Sequence, residues 1–198
     1  MRANDPLTSA RILIVDDQEA NIRLMERVLG RAGYTNIGTT TKPGQVAALY
    51  AEQEPDLIVL DLLMPLMDGY EVMQELAKGM LPGAYVPILV LTADSTPEAR
   101  RRALSMGARD FLTKPFDHDE ALLRIRNLLE TRSLHLRLQD QNDALEERVR
   151  QRTRELQESL ELLQKTAEQR RVLLVRMAEV QRLAEAGVKE GLTREAAP

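Results

Sequence analysis

Over the first two thirds of the chain, short apolar runs alternate with amphipathic stretches. Arg11 to Val15 reads as a buried strand that ends at Asp16-Asp17, and Gln18 to Ala32 as a helix stopped by Gly33. Asn36 to Thr41 is a weaker strand, after which Pro43 opens a helix at a position where its missing N–H costs nothing. Leu57 to Leu60 is a continuous apolar strand ending at Asp61; a loop with Pro65, Asp68 and Gly69 then leads into a helix running to about Lys78. Val86 to Leu91 predicts a fourth strand, Pro97 to Met106 a fourth helix capped by Gly107, and Asp110 to Leu112 a last short strand. Strands buried on both faces, each followed by a helix, are the sequence form of a parallel sheet covered on both sides, so a doubly wound α/β fold is expected.

The pattern changes after Pro115. From Asp117 to about Glu185 there is neither Pro nor Gly, and Leu, Glu, Gln and Arg dominate, which predicts one continuous helix. Leu138, Leu145, Val149 and Leu156 fall on heptad core positions, and a four-residue shift carries the seam through Leu160, Leu163, Ala167, Leu174 and Met177. Asn142 and Arg152 interrupt it. Such a helix would be roughly 100 Å long at 1.5 Å per residue and could not bury its apolar stripe alone. A parallel homodimer is therefore expected, in which Asn142 faces Asn142 and sets register. The expected organisation is a lead over 1–10, an α/β domain over 11–130, a coiled-coil helix over 131–186 and a flexible tail over 187–198.

Composition narrows the function. A length of 198 residues suits one ordinary domain plus an appendage. Net charge is -4 with acids and bases interspersed, so no basic surface for direct DNA binding is implied. No cysteine and only two histidines, His118 and His135, exclude a disulfide framework and make a zinc site improbable. There is no apolar run long enough for a membrane span and no signal-peptide core in Met1 to Ser9, so the reading is a cytoplasmic protein without membrane contact.

In a doubly wound sheet, ligands bind beyond the carboxyl ends of the strands. The residues there are Asp16 and Asp17 after the first strand, Asp61 after the third, Thr92 after the fourth and Lys114 after the fifth. Each alone has a plainer reading: a helix cap for the Asp pair and Thr92, a turn former for Asp61, a solvated loop residue for Lys114, and core for Phe111. Four successive strand ends would not select one edge by accident. Three converging carboxylates need a cation, and an oxygen-only donor set with room for water suits Mg²⁺. With a fixed ammonium and a hydroxyl, the set matches phosphoryl transfer to Asp61, where positioning and charge neutralisation dominate.

The stretches ILIVDD, LIVLDLLMPLMDGYEV, ILVLTA and ARDFLTKPF resemble the CheY-like receiver family of bacterial two-component response regulators, over roughly Arg11 to Leu129. The resemblance implies a flavodoxin-like, five-stranded receiver in which Asp61 accepts a phosphoryl group from a histidine kinase or phosphotransfer protein. It further implies that Asp17, Asp61 and the Leu63 carbonyl ligate Mg²⁺ directly and Asp16 through water, and that Thr92 and Lys114 bind phosphoryl oxygens. By the same likeness the Lys114-Pro115 peptide is cis, and Thr92 and Phe111 form the switch. The output end departs from the family's common DNA-binding domains. LEERVRQRTRELQESLELL resembles linkers that lead to histidine kinases or cyclic-di-nucleotide phosphodiesterases, so an alternative is the regulatory part of such a larger protein. An aspartate-based phosphatase would want an acid two residues after the nucleophile, where Leu63 stands. A nucleotide-binding role lacks a GxxxxGK[ST] stretch, and a coiled-coil protein with an inactive receiver conflicts with the intact Asp, Thr and Lys set.

Overall fold

The computed structural model describes the backbone of residues 6–79 and 85–195, with side chains of the last helix as far as 178 and again at 180 and 182. The elements alternate as expected. Strands β1 (Arg11–Val15), β2 (Asn36–Thr40), β3 (Leu57–Asp61), β4 (Ile88–Thr92) and β5 (Asp110–Thr113) are each followed by a helix: α1 (Glu19–Arg31), α2 (Val46–Gln53), α3 (Gly69–Gly79), α4 (Pro97–Ser105) and α5 (His118–Glu195). All strand pairs are parallel, in the order β2-β1-β3-β4-β5. The order reverses at β1, beside β3, which opens the crevice where such sheets bind ligands.

Both faces of the sheet are covered, which is why β3 and β4 are buried at every position. Side chains alternate between two cores. Ile12 and Ile14 join Met25 and Leu29 of α1 with Ile125 and Leu129 of α5 on one face. Leu13, Val15, Ile58 and Leu60 join Val72, Met73 and Leu76 of α3 on the other. Burying each such side chain contributes about 1.5–3 kcal/mol against the entropy of ordering the chain.

Several boundaries differ from the sequence reading for local reasons. β4 starts at Ile88, since Pro87 has no N–H for the ladder, and ends with Thr92 inside the strand. Pro43–Gln45 forms a 3₁₀ turn and α2 proper begins at Val46. Gly33 (φ 93°) and Gly107 (φ 109°) take left-handed conformations where α1 and α4 stop, a backbone that favours glycine. The backbone of α5 is helical through Gly187 and Gly191, because a glycine costs a helix only about 1 kcal/mol and no proline follows until Pro198.

The chain divides into two compact units, Met1–Gln139 and Asp140–Pro198. The first includes the early turns of α5, where the Arg132 guanidinium donates to the Tyr85 carbonyl and lies 3.8 Å from Asp56. The second is helical, and its large apolar side chains from Leu145 to Val180 are all exposed.

Candidate functional site

Asp61 is the last residue of β3, the strand between β1 and β4; it pairs with Leu91 of β4 and is 3% exposed. The chain turns sharply after it. Gly69 donates its N–H to the Leu62 carbonyl at 3.0 Å, and a Cβ on Gly69 would come within 2.5 Å of the Asp61 carbonyl oxygen, so only glycine lets α3 start this close. The loop between them passes through Leu66 with φ 72°, an uncommon conformation for a residue other than glycine.

Lys114, after β5, reaches across the strand ends. Its N–H donates to the Thr92 carbonyl at 2.7 Å, and its Nζ lies 2.8 Å from Asp16 Oδ2 and 3.0 Å from Asp61 Oδ2. The Lys114-Pro115 peptide is cis. Burial pushes the Asp61 carboxyl above its ordinary range, and the Lys114 ammonium only partly offsets this, with Asp16 adding like-charge repulsion. For Lys114, burial favours the neutral amine, but the bonds and charges of Asp16 and Asp61 together outweigh it and raise its pKa. The lysine therefore stays charged across neutral pH.

The two first-strand acids are held differently. Asp16 is 1% exposed and fully engaged: Gln18 N–H donates to Oδ1, the Asn21 amide to both oxygens at 2.9 and 3.0 Å, and Lys114 to Oδ2. Asp17 Oδ1 is buried with no hydrogen-bond partner. A buried, bare carboxylate oxygen is expensive. One oxygen each of Asp16, Asp17 and Asp61 lie within 4.8 Å of one another, so a cation among them would relieve both the orphaned oxygen and the mutual repulsion. An oxygen-only donor set fits a hard divalent ion.

Thr92 is buried at the end of β4, its hydroxyl accepting from Asp94 N–H at 3.0 Å. Leu63 N–H donates to Asp61 Oδ1 at 3.4 Å while its side chain is exposed. Phe111 lies farther out on β5, half-buried, with the Arg100 guanidinium 4.2 Å from its ring centre. Sequence reasoning missed Asn21 and Arg100. Asn21 stands in the first turn of α1, five residues after Asp16, a spacing that signals a helix-borne donor only once Asp16 is known to point inward.

Five parallel strands in this order, with three carboxylates and a lysine gathered at the carboxyl edge, define the receiver class of signalling domains. The family model for the response regulator receiver domain matches residues 12–126, more than half the chain, and the chain belongs to that family. It is 42% identical over 120 residues to the response regulator PleD of Caulobacter vibrioides, covering 61% of this chain and 26% of that protein. It is 41% identical over 120 residues to the alkaline phosphatase synthesis transcriptional regulatory protein PhoP of Bacillus subtilis, covering 60% of this chain and 48% of the relative. The matched stretch thus spans half or less of these relatives. A receiver-domain structure from Bermanella marisrubri superposes with TM-score 0.54 at 34% identity, covering 61% of this chain and 98% of that one. The chemotaxis protein CheY4 of Vibrio cholerae gives 0.53 at 26% identity, with 61% and 98% covered. Receiver domains are generally switches rather than enzymes, and the family typically holds Mg²⁺ at its acidic cluster. Among the described residues, no helix is long and apolar enough to cross a membrane.

Proposed function

We propose that the chain is a phosphorylation switch in which Asp61 accepts a phosphoryl group from a phosphohistidine of a histidine kinase or phosphotransfer protein. The observation that carries this reading is the pairing of Asp61 with Lys114 beside the bare Asp17 oxygen, a site with one engaged ammonium and one vacant ligand atom. An Asp61 carboxylate oxygen attacks phosphorus, the new O–P bond forms as the partner's N–P bond breaks, and the imidazole leaves. Lys114 turns from the carboxylates to a phosphoryl oxygen, and the Thr92 hydroxyl leaves Asp94 N–H to donate to another. Asp17, Asp61 and the Leu63 carbonyl would hold Mg²⁺, with Asp16 acting through water. When bound, the ion neutralises charge on the phosphoryl oxygens. The movement of Thr92 and Phe111 makes the site a switch.

The output reading is a parallel homodimer through the seam that begins at Leu138, with Asn142 paired across the axis. The exposure of that seam in a single chain supports it. Incubating the full chain with acetyl phosphate and Mg²⁺ should add one phosphate, and Asp61→Asn should add none; undiminished labelling of the variant would remove Asp61 from the role.

A further inference from the structure

The helical unit Asp140–Pro198 carries a second apolar stripe that a two-stranded parallel seam does not use. At roughly 100° per residue, the seam residues Leu160, Leu163, Leu174 and Met177 share one face, and Leu162, Leu173 and Val180 lie about 100° around the helix from it. These last three are 63%, 59% and 66% exposed. Two stripes at about a right angle are what a helix shows when it packs against two neighbours, as in a four-helix bundle.

Charge on the same segment indicates which way the second neighbour runs. From 155 to 164 the only charges are Glu155, Glu158 and Glu161; from 169 to 178 they are Arg170, Arg171 and Arg176. Among the described residues neither Glu158 nor Arg176 has an ion-pair partner within its own chain. In a parallel pair the acidic block would lie level with its acidic copy and the basic block with its basic copy. In an antiparallel pair they are complementary. Turned about an axis between Ala167 and Glu168, Leu162 meets Leu173 of the copy, Thr166 meets Gln169, and Glu158 comes within one residue of Arg176. Glu158 and Arg176 lie about five turns apart and so share one side of the helix, flanking the stripe. Leu162 and Leu173 are therefore self-complementary under a two-fold axis, the condition for an isologous contact, while Val180 comes level with Glu155 at the edge of it. Val172 and Val175 lie on the remaining face and take no part.

We infer that residues 155–180 bind a second copy of the same segment antiparallel through Leu162 and Leu173, with Glu158 paired to Arg176 beside them. If the parallel seam also forms, the full assembly is four chains, two pairs joined tail to tail. The contact requires neither that seam nor phosphorylation.

The absence of native cysteine allows a direct test on the full chain. Leu162→Cys and Leu173→Cys are made on separate chains, mixed and treated with a short bismaleimide. Antiparallel contact predicts a 162–173 cross-link as the main product between chains, identified by peptide mass. Dominant 162–162 and 173–173 products, or none, would overturn it. Light scattering separates this claim from the parallel seam: a 162–173 cross-link with four chains keeps both, and the same cross-link in a two-chain particle keeps the antiparallel contact and removes the seam. Charge reversal gives a second readout. Glu158→Arg or Arg176→Glu alone should weaken association roughly three- to tenfold, and the double reversal should restore it, because exposed pairs are individually modest. Singles without effect, or a double no better than either single, contradict the pairing. Undiminished acetyl phosphate labelling of Asp61 in each variant shows that the receiver is folded.

Discussion

Asp17 and Asp16 are adjacent in sequence and differ in what already holds them. Asp16 accepts from Gln18, Asn21 and Lys114, whereas Asp17 Oδ1 accepts from nothing. Asp17→Ala should therefore weaken Mg²⁺ binding more than Asp16→Ala, and a calorimetric titration that ranks them the other way would reverse the ligand assignment. Proton and cation also compete at Asp61. Because burial raises its folded-state pKa above the ordinary 3.8, Mg²⁺ affinity should fall as pH drops through that raised value, approaching about tenfold per pH unit for one displaced proton. The same shift has a stability consequence of fixed sign. Asp61 favours the folded state most below its unfolded pKa, and that contribution disappears as pH rises through the folded one, so cation-free protein should gain stability near neutral pH from Asp61→Asn. A thermal melt of the variant equal to wild type at pH 7 would contradict this. The five polar site residues were legible because each ends a strand, and strand ends share an edge. Asn21 was not, since its role depends on a side-chain direction that periodicity does not encode.

The elements hold these residues through a few close approaches. Gly69→Ala should destabilise the receiver by about 1–3 kcal/mol and displace Asp61, because the new methyl meets backbone rather than a movable side chain. Chemical denaturation measures the first effect and acetyl phosphate labelling the second; a variant with wild-type stability would show that α3 can shift freely. Helix α4 is anchored differently. Ala103 is its one buried residue, and Arg100 and Arg102 lie over the Phe111 and Tyr70 rings at 4.2 and 4.0 Å. Strand and helix order were readable from apolar runs, since both faces of the sheet are covered. The start of β4 was not, because Val86 looks like strand until the missing N–H of Pro87 is weighed. The α2 entry failed similarly: Pro43 permits a helix start without requiring α geometry, and a 3₁₀ turn intervenes.

At the scale of the molecule, a chain in two compact units predicts two separable behaviours: chemistry at the carboxyl edge of the sheet and association along the second unit. Light scattering should find more than one chain per particle at micromolar concentration, and a monomer with or without acetyl phosphate would remove both proposed helical contacts. The α/β fold could be read from the chain in isolation because its core is internal. Partners of the exposed helix could not, since an apolar stripe states that something covers it and leaves direction to charge. Every step proposed at this site passes through Asp61 as the phosphoryl acceptor. The most direct test of that role is borohydride reduction of the full chain after acetyl phosphate and Mg²⁺ treatment, which converts an aspartyl phosphate to homoserine at the modified position. Peptide mass spectrometry should then find homoserine at position 61, and its absence there, or its presence at position 16 or 17 instead, would rule out Asp61 as the acceptor.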